Sequence, residues 1–470
     1  MKKIKIIATI GPKTAEPSAL VRLFNAGMSI ARLNGAHNTL DWHKRAIKLI
    51  NKNLPNVPIL IDIPGKKIRT KSLIKEPKFK KDDVITLTTE QNYRGTQKVA
   101  INHKSLHQLL SKNDRVFADD GSLAFVVTKI NANDIYCRAE HAGQLKSTKG
   151  INVPHVDLGS DKLSKKEKTY INFAIENKAN FIGISFVESE KYIKKIRNLC
   201  KNSNIKIIAK IENQGGLDNM LSIIEAADGI MIDRGDLSIE TNIDSIALFQ
   251  KKIINNCLEL AKPVIVATEM LDSMIYKPFP TKAEVLDISN AIIDGASCVM
   301  LSGETAVGNY PINSVKVMND ISLKVEKNIK FSFNKQVESI PSAIGSSIYS
   351  LCKSLPITKV IAITLSGYAA RVISTQMIKQ PIIAISNNKD NAKSFNLYRG
   401  TQGVFANIKF KKNSLDHLPE CLLHLWKNKL ISSSDVILVT AVGFPAAGNR
   451  MNLIQTHHVK DLKNTFKWKS

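Results

Sequence analysis

The feature that most constrains the fold of this chain is a series of short apolar segments separated by amphipathic stretches. The segments are apolar on both faces, as in strands covered on both sides of a parallel sheet. The stretches between them, such as LDNMLSIIEAA and ALFQKKIINNCLELA, repeat their apolar residues with the period of a helix. Eight segments follow the pattern: KIIATIGP, SIARLNG, PILIDIPG, FIGISFV, IKIIAKIEN, DGIMIDRGD, KPVIVATEM and SCVMLSGET. The sequence therefore predicts an α/β fold built around a (β/α)8 TIM barrel.

Polar side chains stand at the carboxyl ends of these segments, after the apolar residues. The set comprises Arg32, Asn34, Asp62, Lys210, Glu212, Asp233, Asp236, Thr268, Glu269, Ser302 and Glu304. In a parallel barrel the carboxyl ends of the strands meet at one rim, where the active sites of this fold lie. One or two polar strand ends are routine helix caps. A set of this size on one rim instead predicts a functional site.

Two regions depart from the barrel pattern. Residues 71–154 contain alternating runs with turn signals between them, such as DVITLTT and DIYCRAEHAGQL, which predict a small β-barrel domain inserted after the third strand. A module at the mouth of a barrel is well placed to act as a lid. Residues 335–470 resume the strand and helix pattern and predict a separate, doubly wound α/β domain. The barrel itself is then expected from residues 1–70 and 155–330.

The charge of the chain suits an anionic partner without identifying it. Lys and Arg outnumber Asp and Glu by 67 to 41, which gives a formal net charge of +26. A nucleic-acid binder would concentrate this charge and add stacking aromatic residues. Here the lysines are spread along the chain and aromatics make up only 6% of it. We therefore expect anionic substrates and no nucleic-acid partner.

Composition also bears on the compartment. No apolar run approaches the roughly 20 residues that cross a bilayer, and the first residues lack the apolar region and cleavage site of a signal peptide. The six cysteines form no C-x-x-C pair, so neither a zinc site nor a disulfide framework is indicated. These observations predict a cytoplasmic protein with no membrane association.

The ends of two consecutive segments carry the most informative group of rim residues. Glu212 and Asp236 offer two hard oxygen ligands, and Mg²⁺ is typically held by one or two carboxylates together with substrate oxygens. Lys210 lies two residues before Glu212, so its ammonium points to the same face of the strand. Such a group suits phosphoryl transfer, in which positioning and charge neutralisation do most of the catalysis. A buried ion pair between Lys210 and Glu212 is the simpler alternative.

Arg32 and Arg69 add guanidinium groups, each of which can donate two parallel hydrogen bonds to phosphate oxygens. The chain has no G-x-x-x-x-G-K-[ST] segment and no ordered set of protein-kinase motifs. A phosphotransferase with this sequence must therefore hold its phosphates in another way.

Over essentially its whole length the chain resembles the pyruvate kinase family. The matching segments are KIIATIGPKT, ARLN, KGINVP, IIAKIEN, RGDLSIE, KPVIVATEMLDSMI, TKAEVLDISNAIIDGASCVMLSGETAVGNYP and NLYRG. The resemblance implies a barrel with an inserted β lid and a C-terminal regulatory domain, usually in a homotetramer. It implies transfer of the phosphoryl group of phosphoenolpyruvate to ADP, giving pyruvate and ATP in glycolysis, with Mg²⁺ or Mn²⁺ as cofactor.

The resemblance also implies roles for individual rim residues. Lys210 would stabilise the transferring phosphoryl group, which Arg32 would also contact. Thr268 would lie near the path that delivers a proton to the enolate. Metal binding is implied for Glu212 and Asp236, and binding of the substrate for Arg32, Lys210, Gly235, Asp236 and Thr268. The nucleotide would be served by Asn34, His37, Arg69 and Lys149.

The chain departs from the family at the site for a monovalent cation. The resemblance implies an oxygen cage for K⁺, of which Asn34 and Asp62 remain. Ala36 and Ile63 stand where the family supplies further side-chain oxygens. Family members that need no K⁺ carry a lysine where the others carry a glutamate, and Lys67 occupies that position. An ammonium can replace the charge of the missing ion, so we predict that K⁺ is not required.

A second departure is Asp233, which replaces an alanine of the family. Its carboxylate would repel an anionic substrate unless it is protonated or turned onto a cation. Lys66, Lys67 and Arg32 are the partners that the sequence suggests. The alternative is a catalytically weak relative of pyruvate kinase, with a different enol-phosphate substrate or with a role as a sensor or partner subunit.

Overall fold

The structure, a computed structural model, describes residues 3–65, 67–119, 121–154, 156, 163–328, 339–410, 414–442 and 451–468. Its strands are, in chain order, β1 (Lys5–Thr9), β2 (Met28–Asn34), β3 (Ile59–Ile63), β4 (Ile68–Arg69), β5 (Lys78–Phe79), β6 (Val84–Thr88), β7 (Val99–Ala100), β8 (Arg115–Ala118), β9 (Leu123–Asn131), β10 (Asp134–Ala139), β11 (Gly143–Gln144), β12 (Gly150–Asn152), β13 (Phe181–Ile184), β14 (Lys206–Ile211), β15 (Gly229–Asp233), β16 (Val264–Ala267), β17 (Cys298–Leu301), β18 (Lys359–Ile363), β19 (Ile382–Ser386), β20 (Thr401–Phe405), β21 (Val436–Ala441) and β22 (Leu453–His458).

The α-helices of the same residues are α1 (Pro17–Ala26), α2 (Leu40–Asn53), α3 (Leu106–Leu109), α4 (Lys165–Glu176), α5 (Glu190–Leu199), α6 (Gln214–Asp218), α7 (Met220–Ala226), α8 (Arg234–Glu240), α9 (Ile246–Glu259), α10 (Lys282–Asp294), α11 (Gly303–Ala306), α12 (Pro311–Asn328), α13 (Ile340–Ser354), α14 (Tyr368–Ser374), α15 (Lys389–Ser394), α16 (His417–Lys427) and α17 (Val459–Thr465). Short 3₁₀ turns span Ile243–Ser245, Asp272–Ile275 and Phe395–Leu397. None of these described helices has both the length and the apolar character needed to cross a membrane.

Eight strands close into a parallel barrel in the order β1, β17, β16, β15, β14, β13, β3, β2. Each of them coincides with one of the eight apolar segments to within one residue, so the predicted α/β barrel is confirmed. Successive side chains of a strand point to opposite faces. Ile6 of β1 therefore packs against the helix layer while Ile7 fills the barrel interior. Burial of an isoleucine side chain contributes about 1.5–3 kcal/mol, which favours closure with both faces covered.

Local sequence signals set the ends of the helices around the barrel. In α10 the side chain of Thr281 accepts a hydrogen bond from the amide of Glu284, whose carboxylate accepts one from Thr281 in return. Gly295 ends the same helix with φ of 112°, a left-handed conformation that suits glycine. These caps satisfy backbone groups that a helix leaves unpaired at its ends, so the chain turns sharply into the next strand.

The inserted region forms its own β domain. Its seven-stranded sheet runs β4, β12, β8, β9, β10, β6, β7, and β5 pairs with β11 beside it. An antiparallel bridge between Thr70 and Ile101 joins the two outer strands, so the sheet returns on itself as a small barrel. A separate apolar core that includes Phe79 and Phe125 fills it.

The C-terminal domain contains a five-stranded sheet in the order β20, β19, β18, β21, β22, of which only β22 is antiparallel to its neighbour. This domain packs against the end of the barrel at which the strands begin. There the Lys5 ammonium donates to the carbonyl of Thr401 at 2.6 Å, and Ile348 and Ile373 share one apolar cluster with Ala261. The β domain and the polar residues predicted above lie at the opposite rim, where the strands end.

Candidate active site

The rim begins with a buried pair from two neighbouring strands, Arg32 of β2 and Asp62 of β3. Nε and Nη2 of Arg32 both contact Oδ2 of Asp62, at 3.0 and 2.6 Å, and Nη1 donates to the hydroxyl of Thr9 at 2.8 Å. Both side chains are almost fully buried. Arg32 is thus held in one orientation by charge-assisted hydrogen bonds at the floor of the site.

Lys210 stands at the centre of the rim, on β14. Its ammonium lies 2.7 Å from Oε1 of Glu212, 2.9 Å from Oδ2 of Asp233 and 3.6 Å from Oδ2 of Asp62. Burial opposes the charged form, but the three carboxylates outweigh it and hold the pKa of Lys210 well above its usual range. The side chain is therefore a permanent cation in a buried site.

The pKa values of two of these carboxylates are shifted in opposite directions. Burial raises the pKa of Glu212, and the neighbouring acids add to the shift although Lys210 opposes it. Burial also acts to raise the pKa of Asp233, but the adjacent Lys210 ammonium outweighs it and lowers the pKa below its ordinary value. Asp233 is thus an anion paired with Lys210, which is not among the partners that the sequence suggested. Lys66 lies outside the described residues.

The carboxylates of Glu212, Asp233 and Asp236 form a group that fits a divalent cation. Each offers an oxygen, and these oxygens all lie within 4.8 Å of one another. Glu212 is further oriented by the amide of Phe186, which donates to its Oε2 at 2.5 Å. Hard carboxylate oxygens at this spacing suit Mg²⁺ or Mn²⁺.

The β domain reaches the barrel through helix α8, which follows β15. The ammonium of Lys67 lies 2.6 Å from Oδ1 of Asp236, and the Asn152 amide donates to Oε1 of Glu240 at 2.6 Å. Burial raises the pKa of Glu240 to about 7 against the effect of this hydrogen bond. A cavity of about 40 Å³ lined by Lys67, Asn152 and Glu240 lies at the junction. The same helix therefore carries a metal-ligating candidate and the contacts to the lid.

The loop after β16 has a strained backbone. Thr268 and Glu269 have φ of 68° and 53°, in a left-handed region that side chains other than glycine rarely adopt. The hydroxyl of Thr268 accepts from the amide of Gly235 at 2.8 Å, and Arg234 donates to its carbonyl at 2.7 Å. Strain of this kind persists where surrounding contacts enforce it, often at active sites. Gly235 and Thr268 are thus brought together, whereas Glu269 is exposed.

The four residues expected to serve a nucleotide lie towards the lid. His37 is exposed, and Oδ1 of Asn34 accepts from the amide of Ala36 at 3.1 Å. Arg69 of β4 is exposed and donates to the carbonyl of Thr148 at 2.9 Å. Lys149 pairs with Asp119 at 2.6 Å. The side chains that are exposed here are available to an incoming anion.

The remains of the oxygen cage are occupied by other contacts. Oδ2 of Asp62 is taken by Arg32, and Oδ1 of Asn34 is taken by a backbone amide. Ala36 and the buried Ile63 supply no side-chain oxygen. A monovalent cation needs several oxygens, so these residues fit it poorly. Arg32 and Lys210 are the cations that lie at Asp62, whereas the ammonium of Lys67 contacts Asp236.

Sequence reasoning missed several residues of the rim. The Lys210 ammonium donates to the hydroxyl of Ser185 at 3.4 Å, and Ser185 lies inside the segment FIGISFV, which the sequence pattern marks as an apolar run. Glu304 was counted among the rim residues, but it accepts from the amides of Leu271 and Ser302 and so supports the neighbouring loop. Glu240 carried no sequence signal, because its burial depends on the lid.

Comparisons with known proteins agree along the whole chain. A family model described as pyruvate kinase, barrel domain, matches residues 1–315, and one described as pyruvate kinase, alpha/beta domain, matches residues 342–457. A pyruvate kinase of Bacillus licheniformis is 35% identical over 98% of this chain and 81% of its own length. One of Clostridium perfringens is 33% identical over 95% of this chain and 97% of its own. A crystal structure of a pyruvate kinase from Cryptosporidium parvum superposes with a TM-score of 0.88 at 31% identity, covering 97% of this chain and 96% of the other.

The architecture and these relatives define the chain as a barrel enzyme of the phosphotransferase class. More narrowly, the chain belongs to the pyruvate kinase family. That family acts on phosphoenolpyruvate and ADP and generally uses Mg²⁺.

Proposed function

We propose that this chain transfers the phosphoryl group of phosphoenolpyruvate to ADP, giving pyruvate and ATP in glycolysis, with Mg²⁺ or Mn²⁺ and without a need for K⁺. The observation that carries the proposal is the buried ammonium of Lys210 between Glu212 and Asp233 at the carboxyl rim. A fixed cation in a water-poor site stabilises charge that develops on a transferred phosphoryl group far more than it would in water.

Each rim residue has a proposed part in this reaction. Lys210 and Arg32 face the phosphoryl oxygens, while Glu212 and Asp236 hold the divalent cation. A bound divalent cation would neutralise negative charge on the oxygens of the transferred group. The Gly235 amide and the Thr268 hydroxyl exchange their mutual hydrogen bond for the substrate carboxylate, and Asp236 completes this cradle. Thr268 also lies on the proposed route of the proton to the enolate.

The nucleotide is proposed to bind between the rim and the lid. Asn34, His37, Arg69 and Lys149 are the residues assigned to it. Support comes from the exposure of Arg69 and His37, whose side chains need no rearrangement of a buried pair to meet phosphate oxygens. Residues 71–154 would then close as the lid over a catalytic barrel formed by residues 1–70 and 155–330. Residues 335–470 would form the regulatory domain.

Independence from K⁺ is proposed because the cation cage is incomplete and Lys67 places an ammonium at the rim. The ammonium of Lys67 lies at the side of the site that carries Asp236, and neutralises a carboxylate there. The anionic substrates therefore meet one negative charge fewer, as they would if a bound monovalent ion were present. A point charge on a flexible stem is suited to this task.

A homotetramer in the cytoplasm is also proposed. Helix α9, helix α10 and the segment that leads from the Asp272–Ile275 turn into α10 expose large apolar side chains: Leu248, Tyr276, Phe279 and Leu286. An exposed apolar patch of this kind is typical of a surface that associates with another protein chain. All six cysteines are buried and none is in a disulfide, as is usual in a reducing compartment. Light scattering of the purified chain measures the number of subunits directly.

The ion pair between Asp233 and Lys210 also favours a second candidate, a catalytically weak relative with another enol-phosphate substrate. An anionic substrate must draw Lys210 away from Asp233 before it can use the ammonium. The two candidates differ in turnover with phosphoenolpyruvate under saturating conditions, which the weak relative lacks.

The test is a coupled assay of pyruvate formation from phosphoenolpyruvate, ADP and Mg²⁺. We expect turnover by the wild type and a loss of at least a hundredfold in kcat for Lys210→Ala, on the order of what removal of one such electrostatic group costs. Lys201→Ala, an exposed lysine before β14, is the control and should retain wild-type rates. Absence of turnover by the wild type would remove the kinase proposal.

A further inference from the structure

Asp233 has no role in the reaction described above, yet it lies inside the metal-binding group. It ends β15 two residues before the Gly235 amide, and its side chain is 9% exposed. Its oxygen lies within 4.8 Å of oxygens of both Glu212 and Asp236. Two ligands that each lie about 2.1 Å from one Mg²⁺ or Mn²⁺ ion are at most about 4.2 Å apart, so a small movement of these side chains brings the three oxygens around a single ion.

A separate observation points to a cation among these oxygens. Oε1 of Glu212 is buried and has no hydrogen bond from any described residue, although it forms an ion pair with Lys210. The other oxygen of the same carboxylate is satisfied by the amide of Phe186. A carboxylate oxygen has more than one acceptor site, and the ion pair with Lys210 uses only one of those on Oε1. Oε1 is therefore directed into the group with capacity to bind an ion.

The charges of the rim lead to the same conclusion. Four carboxylates face three cations among the described residues: Asp62, Glu212, Asp233 and Asp236 against Arg32, Lys67 and Lys210. A buried site with an excess of negative charge is stabilised by a further cation, because removing charge from water is expensive unless it is compensated. Without Asp233 the carboxylates and cations would balance, so this residue creates the excess.

We propose that Asp233 is a third carboxylate ligand of the divalent cation, beside Glu212 and Asp236. That the cation is Mg²⁺ or Mn²⁺ rests on the proposed function. That three carboxylates bind the cation does not rest on it. Sites with one or two carboxylates usually depend on substrate oxygens to complete the coordination of Mg²⁺. A third carboxylate lets the protein bind the ion before the substrate arrives. Lys210, relieved of Asp233, is then free to turn towards the phosphoryl group.

The alternative is that Asp233 acts only as a counter-ion of Lys210 and attracts cations through its charge. Asp62 provides the matched control, because it also lies near Lys210, at 3.6 Å, but does not belong to the group of three carboxylates. Asp233→Asn and Asp62→Asn remove the same charge from the same buried rim. If Asp233 acts only through its charge, the two variants should lose similar amounts of affinity for the divalent cation. If Asp233 binds the cation directly, Asp233→Asn should lose much more affinity than Asp62→Asn.

The experiment measures the affinity of the full chain for Mn²⁺ alone, without substrate, by electron paramagnetic resonance of the free ion. We expect Asp233→Asn and Asp233→Ala to weaken binding by about tenfold or more, since even a residue that only supports a ligand costs 10- to 100-fold. Asp62→Asn should weaken binding by about threefold or less. The spectrum of bound Mn²⁺ should also change in Asp233→Asn and not in Asp62→Asn.

Unchanged affinity in Asp233→Asn, or equal losses in the two asparagine variants, would overturn the proposal. Thermal unfolding of each variant verifies that the chain is folded, and Asp233→Asn keeps the side-chain volume if Asp233→Ala does not fold. The result is separable from the kinase assay. If the wild type forms no pyruvate but its Mn²⁺ affinity falls when Asp233 is replaced, the proposed function is refuted and the assignment of Asp233 as a third ligand is kept.

Discussion

Replacement of Lys67 by methionine removes one positive charge from the rim while keeping an unbranched side chain of similar length. Its ammonium lies 2.6 Å from Oδ1 of Asp236, and both side chains are less than one-fifth exposed. At an effective dielectric constant of 20 the coulombic attraction at this distance is about 6 kcal/mol, which is an upper bound. The net contribution of a hydrogen bond to a charged group is about 1.5–3 kcal/mol, or roughly 10- to 150-fold in an equilibrium constant.

In the assay of pyruvate formation, Lys67→Met should therefore change the KM for phosphoenolpyruvate and the Mg²⁺ requirement in opposite directions. The KM for phosphoenolpyruvate should rise roughly 10- to 150-fold, because an uncompensated Asp236 repels the anionic substrate. The Mg²⁺ concentration for half-maximal activity should fall, since Asp236 is released from its lysine. Added K⁺ should not rescue the variant, because Ala36 and Ile63 leave the cage incomplete. Lys75→Met, at an exposed lysine of the lid, should change neither constant.

The complementary variant rebuilds the cage. Ala36→Ser, Ile63→Thr and Lys67→Glu together restore side-chain oxygens and remove the ammonium, so activity should become dependent on K⁺. The reasoning is refuted if Lys67→Met keeps the wild-type KM in buffers without K⁺. It is also refuted if the wild type itself is activated many-fold by K⁺.

Two further predictions concern the residues around α8. Burial raises the pKa of Glu240 to about 7 from its ordinary value of 4.5. The folded state therefore binds more protons than the unfolded state between these pH values, and it loses up to about 3 kcal/mol of stability as pH rises. Glu240→Gln, which keeps an acceptor for Asn152, should gain thermal stability relative to wild type from pH 5 to pH 8; parallel curves would contradict this. Asp287→Asn removes the 2.6 Å ion pair that fixes Arg234, so the Thr268 loop should loosen and kcat should fall several-fold with a stability change of about 1 kcal/mol. An unchanged kcat would show that Arg234 does not position Thr268.

The barrel and its rim were predictable because both depend on patterns along the chain. Segments that are apolar on both faces predict buried parallel strands, and the eight observed barrel strands follow those segments. Polar residues at strand ends then fall on one rim by the geometry of the fold. The convergence of Lys210, Glu212 and Asp236 needs only the adjacency of β14 and β15.

Contacts between the lid and the barrel were not predictable in the same way. Lys67 and Asp236 are separated by 169 positions, and their contact depends on where the segment that enters the lid lies over α8. The pairing of Asp233 with Lys210 depends on competition among several buried charges, which a sequence pattern does not encode. The left-handed backbone at Thr268 and Glu269 also gave no signal, because neither residue is glycine or asparagine. These contacts and backbone conformations, which local sequence preferences do not predict, lie at the candidate active site, as is usual for functional residues.

The most direct test of the account is the rate of pyruvate formation by the wild type at saturating phosphoenolpyruvate, ADP and Mg²⁺, measured in tetramethylammonium chloride and in potassium chloride of equal ionic strength. We predict turnover that differs by no more than about twofold between the two salts, since Lys67 supplies the charge of a monovalent ion. Turnover that appears only with K⁺ would contradict the role of Lys67. No pyruvate in either salt would contradict the proposed reaction.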